Sequence, residues 1–143
     1  RGELNMVLRD SSGNIKDERS YHNKITAKGK TIAAKLWGGI SATAYNAMAI
    51  GIGTPAANAL GSEITTNGGE RKAITPTSVK TTIDDDTVQF VGEFTFTGSF
   101  AITEEGIFNN STSGGDMGAS TSFTAVNVVS GDTWTVTHKI SFA

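Results

Sequence analysis

Residues 87–97 read Thr-Val-Gln-Phe-Val-Gly-Glu-Phe-Thr-Phe-Thr. Val88, Phe90, Phe94 and Phe96 fall on one side, with Gly92 the gap in that row. Thr87, Gln89, Val91, Glu93, Thr95 and Thr97 fall on the other. Alternation sustained over this length matches a half-buried strand and fits the helical period poorly. Residues 133–142 repeat the pattern, with Trp134, Val136, Ile140 and Phe142 opposite Thr133, Thr135, Thr137, Lys139 and Ser141. Two such strands predict the centre of a β core, side by side or face to face, with the rest of the chain covering them.

The 143 residues suit one domain with one core. Seventeen glycines against two prolines, with abundant threonine, predict strands joined by tight turns. A net charge of −2 gives no general pull toward nucleic acid or an anionic membrane. The absence of cysteine excludes disulfides and thiolate metal sites. No apolar run approaches the roughly 20 residues that span a bilayer.

Working outward, Leu4, Met6 and Leu8 alternate with polar neighbours, and Asp10-Ser11-Ser12-Gly13-Asn14 supplies turn chemistry. A polar return over 15–22 completes a hairpin, read as an exposed or partner-facing arm. Thr26 is placed to cap a helix through Trp37, with Ile32, Ala33, Leu36 and Trp37 as its sheet-facing stripe. Gly38-Gly39 ends it, and Gly29 inside it costs about 1 kcal/mol relative to alanine. Further strands are expected over 45–52, 71–83, 100–109 and 121–129, with Pro76 marking a bend or an edge. The sum is an all-β, single-domain sandwich of jelly-roll kind over 1–143. It has about eight strands, a hairpin arm at 1–22, a helix at 26–37 and a sandwich body at 44–143.

Candidate chemistry is sparse. His138 sits on the apolar face of the last strand and reads as a buried or interface histidine, since catalysis would require a nucleophile and an orienting partner. His22 is too distant in pattern to join it as a metal site. Asp84-Asp85-Asp86 lacks the spacing of a calcium loop and reads as a solvated turn. Glu104 and Glu105 face opposite sides of a strand, so without a bulge they cannot share a cleft, and both read as structural. Gly51-Ile52-Gly53-Thr54-Pro55 lacks the Gly-Lys-Ser/Thr ending of a phosphate loop. These residues predict neither enzyme activity nor a bound cofactor or metal.

Several segments, in order, resemble a group of small tailed-bacteriophage virion structural proteins. They are Gly2-Glu3-Leu4, Asn23 to Lys30 leading into the helix, Met48-Ala49-Ile50-Gly51-Ile52-Gly53-Thr54, Glu104-Glu105-Gly106-Ile107-Phe108-Asn109, and Ser130-Gly131-Asp132-Thr133-Trp134. The segment Gly114 to Ser120 departs from the family, being small and polar where members are more apolar. The resemblance implies a virion component assembled in the bacterial host cytoplasm. It points to a head decoration or cement protein on the major capsid protein, or to a tail or fibre-associated protein. Self-association as a homotrimer or other symmetric oligomer is implied, with neither nucleic acid nor membrane as partner.

The hairpin and the loops over 62–71 and 109–120 are the expected docking elements. The candidate partner-binding residues are Leu4, Met6, Leu8, Arg9, Arg19, Tyr21, Asn67, Arg71, Asn110 and Met117. Removing residues 2–21 is expected to leave a folded sandwich that no longer docks. The alternative from another class is a carbohydrate-binding module, whose signature would be exposed coplanar aromatics among Trp37, Trp134, Tyr21 and Tyr45.

Overall fold

A computed structural model describes residues 1–142; Ala143, the last position of the expected sandwich body, lies outside the described residues. The two patterned segments lie side by side. β7 (Thr87–Thr95) and β10 (Thr133–Ser141) pair antiparallel, with Trp134 opposite Phe94 and His138 opposite Phe90. β1 (Gly2–Arg9) continues the sheet beyond β10, and β2 (Ile15–His22) forms its edge. A short β6 (Thr77–Val79) closes the far side, giving the order β2-β1-β10-β7-β6. The second sheet has the order β3-β9-β8-β4-β5, with β3 (Lys24–Ile25), β4 (Ala47–Gly51), β5 (Lys72–Ala73), β8 (Phe100–Phe108) and β9 (Met117–Val128). The chain is thus an all-β sandwich with one helix, α1 (Ala27–Trp37).

The alternation read in 87–97 becomes the core. Phe90, Phe94 and Phe96 join Leu4, Met6, Leu8, Trp134 and Val136 from the first sheet. Met48, Ile50, Ile102, Ile107, Val126 and Val128 belong to the same cluster from the second. Trp134 stands edge-on to Phe123, ring centroids 6.0 Å apart. Such contacts add about 0.5–1.5 kcal/mol beyond burial. The gap at Gly92 is filled from the opposite sheet, since a Cβ there would meet the Met48 sulfur at 2.6 Å. On the other face of the second sheet, Ala47, Ala49, Leu60, Phe108 and Met117 make a second small core.

Two expectations about the strands need correction. The hairpin is no detachable arm: Leu4, Met6 and Leu8 are at most 2% exposed, and β1 lies between β2 and β10. Its alternation marks an interior strand; only polar β2 is the exposed edge. Residues 71–83 do not form one strand. The chain pairs with β4 at Lys72–Ala73, passes Pro76, and pairs with β7 at Thr77–Val79, so it crosses from one sheet to the other. The expected count of about eight strands is met by seven of five or more residues, with three short ones of two or three beside them.

The helix begins and ends where its residues direct. The Thr26 hydroxyl accepts from the Gly29 N–H at 2.9 Å, and Gly39 takes φ +65° just past the last turn. Its stripe, however, does not face the sheet as expected. Only Gly29 and Ile32 are buried, while Leu36 is 44% and Trp37 87% exposed. The cause lies at Gly29, where a Cβ would come within 2.1 Å of the Gly118 carbonyl oxygen. The first turn of α1 therefore rests backbone to backbone on β9, and beyond the buried Ile32 its last turn is exposed.

Candidate functional site: a buried polar bridge and an apolar groove

The polar groups with the most chemical potential lie inside the molecule. His138 on β10 and Glu105 on β8 are both 0% exposed. The His138 Nδ1 lies 3.0 and 2.9 Å from the two Glu105 oxygens, so the pair bridges the two sheets. The Asn23 amide stands against Nε2, so both ring nitrogens of His138 have polar partners. Asn23 Oδ1 is buried without a partner.

Glu104 points the other way, and its carboxylate is spent on the loop after β4. Oε1 accepts from the backbone N–H groups of Gly53 (3.0 Å) and Ser62 (2.8 Å), and Oε2 from that of Gly61 (2.8 Å). A Cβ at Gly53 would approach Glu104 Oε1 to 3.0 Å and the Ser62 nitrogen to 2.7 Å, so the close fit requires glycine. The Gly51–Pro55 stretch weighed as a phosphate loop thus does present amides to an anion, and the anion is the chain's own Glu104.

A break in the β8–β9 ladder sits beside this pair. Ile102 pairs with Val126 but Glu104 with Ser122, so β9 carries two more residues than β8 over this interval. The bulge turns Ile102 and Glu105 toward the core while Glu104 faces the loop. Arg19, on the edge strand of the other sheet, donates to the Thr124 and Ala125 carbonyls at 2.5 and 3.2 Å. Arg19 also pairs with Asp17 at 2.7 Å, so it fastens one edge of the sandwich.

Arg71 is consumed in the same way. It takes Glu63 with Nε and Nη2 at 2.8 and 2.7 Å, and donates from Nη1 to the Asn110 and Gly114 carbonyls, both at 2.8 Å. Its guanidinium lies 4.0 Å from the centroid of the Phe108 ring. The loops expected to face a partner are therefore tied to each other.

Two hollows remain accessible, a half-polar one beside Tyr21, Thr54 and Thr103 and an apolar one beside the helix. A groove of about 670 Å³ opens beside α1, between the helix and the ends of both sheets. Ile25 and Ala33 line the helix side, Val88, Ile140 and Phe142 the first sheet, and Tyr45 the approach to the second. Phe142 is 64% exposed at the rim. Tyr45 lies against Gly118, where a Cβ would come within 2.5 Å of its ring. Its hydroxyl is buried and unpartnered; burial first, and the nearby Asp116 charge second, push its pKa up to about 12.

The structure disperses the candidate partner residues. Leu4, Met6, Leu8 and Met117 are core residues with at most 2% exposure, and Arg71 has its donors engaged, so these five are corrected to structural roles. Arg9, Asn67 and Asn110 are exposed but lie apart, Arg9 at the end of β1 and the other two on separate loops, and Arg19 and Tyr21 are half-buried on β2. Among the tryptophans and tyrosines only Trp37 is exposed, so no coplanar pair stands ready for a sugar. The groove was missed because the stripe Ile32-Ala33-Leu36-Trp37 reads the same whether a sheet or a partner covers it. The signal was Gly29, which marks backbone contact at the first turn and so leaves the last turn exposed.

No helix is long and apolar enough to cross a membrane. Among the described residues no three potential metal ligands gather. In comparisons with known proteins, no family model, no curated sequence and no solved structure matches the chain.

Proposed function

We propose that this protein is a non-enzymatic structural component of a tailed-bacteriophage virion, a head decoration protein that binds the major capsid lattice in symmetric copies. One observation carries the binding role. His138, Glu104, Glu105 and Arg71 are committed to bracing the fold, whereas large apolar side chains stand exposed around the groove. A surface of that kind acts by contact. The rigid, cross-braced sandwich and near-neutral charge suit a protein packed side by side on a particle. The placement on a virion, and on the head, rests on the resemblance of the five segments quoted above.

The test is localisation. Gold-labelled protein added to phage particles lacking it is expected to spread over the heads in electron micrographs. Label confined to the tail would replace the decoration reading with the tail-associated one. Particles that remain unlabelled would overturn the virion role.

A further inference from the structure

The half-polar hollow lies between β2 and the later half of β9, and it measures about 670 Å³. Tyr21 and Phe123 give it two aromatic rings, their centroids 5.7 Å apart. Phe123 is seated in turn against Trp134. Thr103 of β8, Ser122 and Thr124 of β9, and Thr54 of the loop after β4 add four hydroxyls. Thr54, Ser122 and Thr124 are exposed, and among the described residues their hydroxyls hold no protein partner. The Thr103 hydroxyl donates to the Gly53 carbonyl at 2.7 Å and keeps its lone pairs to accept.

Three features described above as structural converge on this hollow. The first is the break in the β8–β9 ladder. Thr103, Phe123 and Thr124 all lie in the interval between the Ile102–Val126 and Glu104–Ser122 pairs. A bulge there re-aims side chains, as bulges beside binding sites do. The second is Glu104, which fixes the Thr54 side through the Gly53 N–H at 3.0 Å. The third is Arg19, two residues before Tyr21 on β2, which reaches across to the Thr124 and Ala125 carbonyls. Both walls are thus set before any ligand arrives, which lowers the ordering cost of binding.

The lining selects the ligand. No charged side chain lines the hollow among the described residues, and Arg19 beside it is engaged by Asp17 at 2.7 Å and by the two carbonyls. An ionic ligand would find no free counter-charge. Because Arg19 takes those carbonyls, the ladder that an extended peptide would join is interrupted here. Hydroxyls that both donate and accept suit a ligand with neutral hydroxyls of its own. An aromatic ring suits a ligand with an apolar ring face. We infer that this hollow binds a neutral saccharide, with Tyr21 against the C–H face of a sugar ring and the four hydroxyls on its polar rim. Such a site uses one half-buried ring and needs no coplanar pair. It stands apart from the virion reading: protein that labelled phage heads but bound no sugar would remove this inference alone.

The experiment is a proton–nitrogen correlation NMR titration of the full chain with maltotriose, cellotriose, lactose and triacetylchitotriose, each up to about 20 mM. At least one is expected to shift the Gly53, Thr54, Thr103, Ser122 and Thr124 amides together and saturably. Thr124→Arg places a long charged side chain in the hollow from an exposed position, so it keeps the fold and should abolish those shifts. Tyr21→Ala should weaken binding by about 10-fold, the scale of one aromatic contact. Trp37→Ala, outside the hollow, should leave binding unchanged. No saturable shift with any of the four sugars overturns the inference, as do shifts centred on the groove beside α1. Binding that survives both Thr124→Arg and Tyr21→Ala overturns it too. Tighter binding of sialyllactose than of lactose would overturn the neutral class.

Discussion

His138 and Glu105 meet at 2.9 Å across the two sheets, each with no exposed surface. The contact joins the strand that closes the chain to one in the middle of the opposite sheet. Removing one member of a buried pair leaves the other's polar group without compensation, at about 3–5 kcal/mol. Glu105→Leu and His138→Phe are each expected to lose stability on that scale in urea unfolding. The double variant should recover part of the loss, because two apolar side chains need no partner while the Asn23 amide still loses His138. Additive losses would show that the two residues act separately.

Gly29 makes the opposite prediction to the one its helix position suggests. Propensity alone gives Gly29→Ala about 1 kcal/mol of stabilisation. A Cβ at 2.1 Å from the Gly118 carbonyl cannot be accommodated unless the helix moves off β9, and forcing extra volume into such a contact costs about 1–3 kcal/mol. We therefore expect Gly29→Ala to lower the thermal midpoint. A raised midpoint would mean that α1 is not seated on β9 at this turn.

These two sites mark where sequence reading succeeds and where it stops. Period-two alternation located β7 and β10 and their core residues, because one-sided burial imposes it directly. The Thr26 cap and the Gly38–Gly39 stop were legible because local backbone geometry selects them. The partners of Glu104, Glu105, Arg19 and Arg71 were not, since each reaches a group 30 or more residues away, or closes a loop whose path no local rule sets. The hairpin misled because Leu4, Met6 and Leu8 alternate alike in an edge arm and in an interior strand; pairing with β10 decides between them. A helix stripe records only that something covers it, and for α1 the sheet covers Ile32 alone of its four residues.

Asp86 links stability to acid. Its carboxylate accepts from the N–H groups of Ile83, Thr82 and Thr81 at 2.9, 2.7 and 2.7 Å and from the Thr87 hydroxyl at 2.8 Å. The bond from Ile83 leads in pulling its pKa from the ordinary 3.8 to about 2. A carboxylate depressed in the folded state stabilises the fold fully above its unfolded value, and this contribution fades as pH falls from 3.8 toward 2. Asp86→Asn is expected to lower stability at neutral pH and to flatten the decline across that acid window. The comparison is chemical denaturation of both proteins at steps of pH; parallel curves would exclude Asp86 as the cause.

Glu104 is the residue on which the 52–62 loop depends. Its carboxylate serves three backbone N–H groups while wholly buried, so its loss strands donors that no other group in the loop is placed to satisfy. Each buried donor left unpaired costs about 1–3 kcal/mol, though the loop can rearrange to hydrate some of them. Glu104→Ala should therefore destabilise the protein by about 3 kcal/mol. Glu104→Gln, which keeps one carbonyl acceptor, should lose less. Hydrogen exchange separates this from a general weakening: the Gly53, Gly61 and Ser62 amides should lose protection well before those of β10. Leu60 packs under the same loop against Phe108 and Met117, so opening it should also expose that small core. Uniform loss of protection across both sheets would instead place Glu104 in the global core.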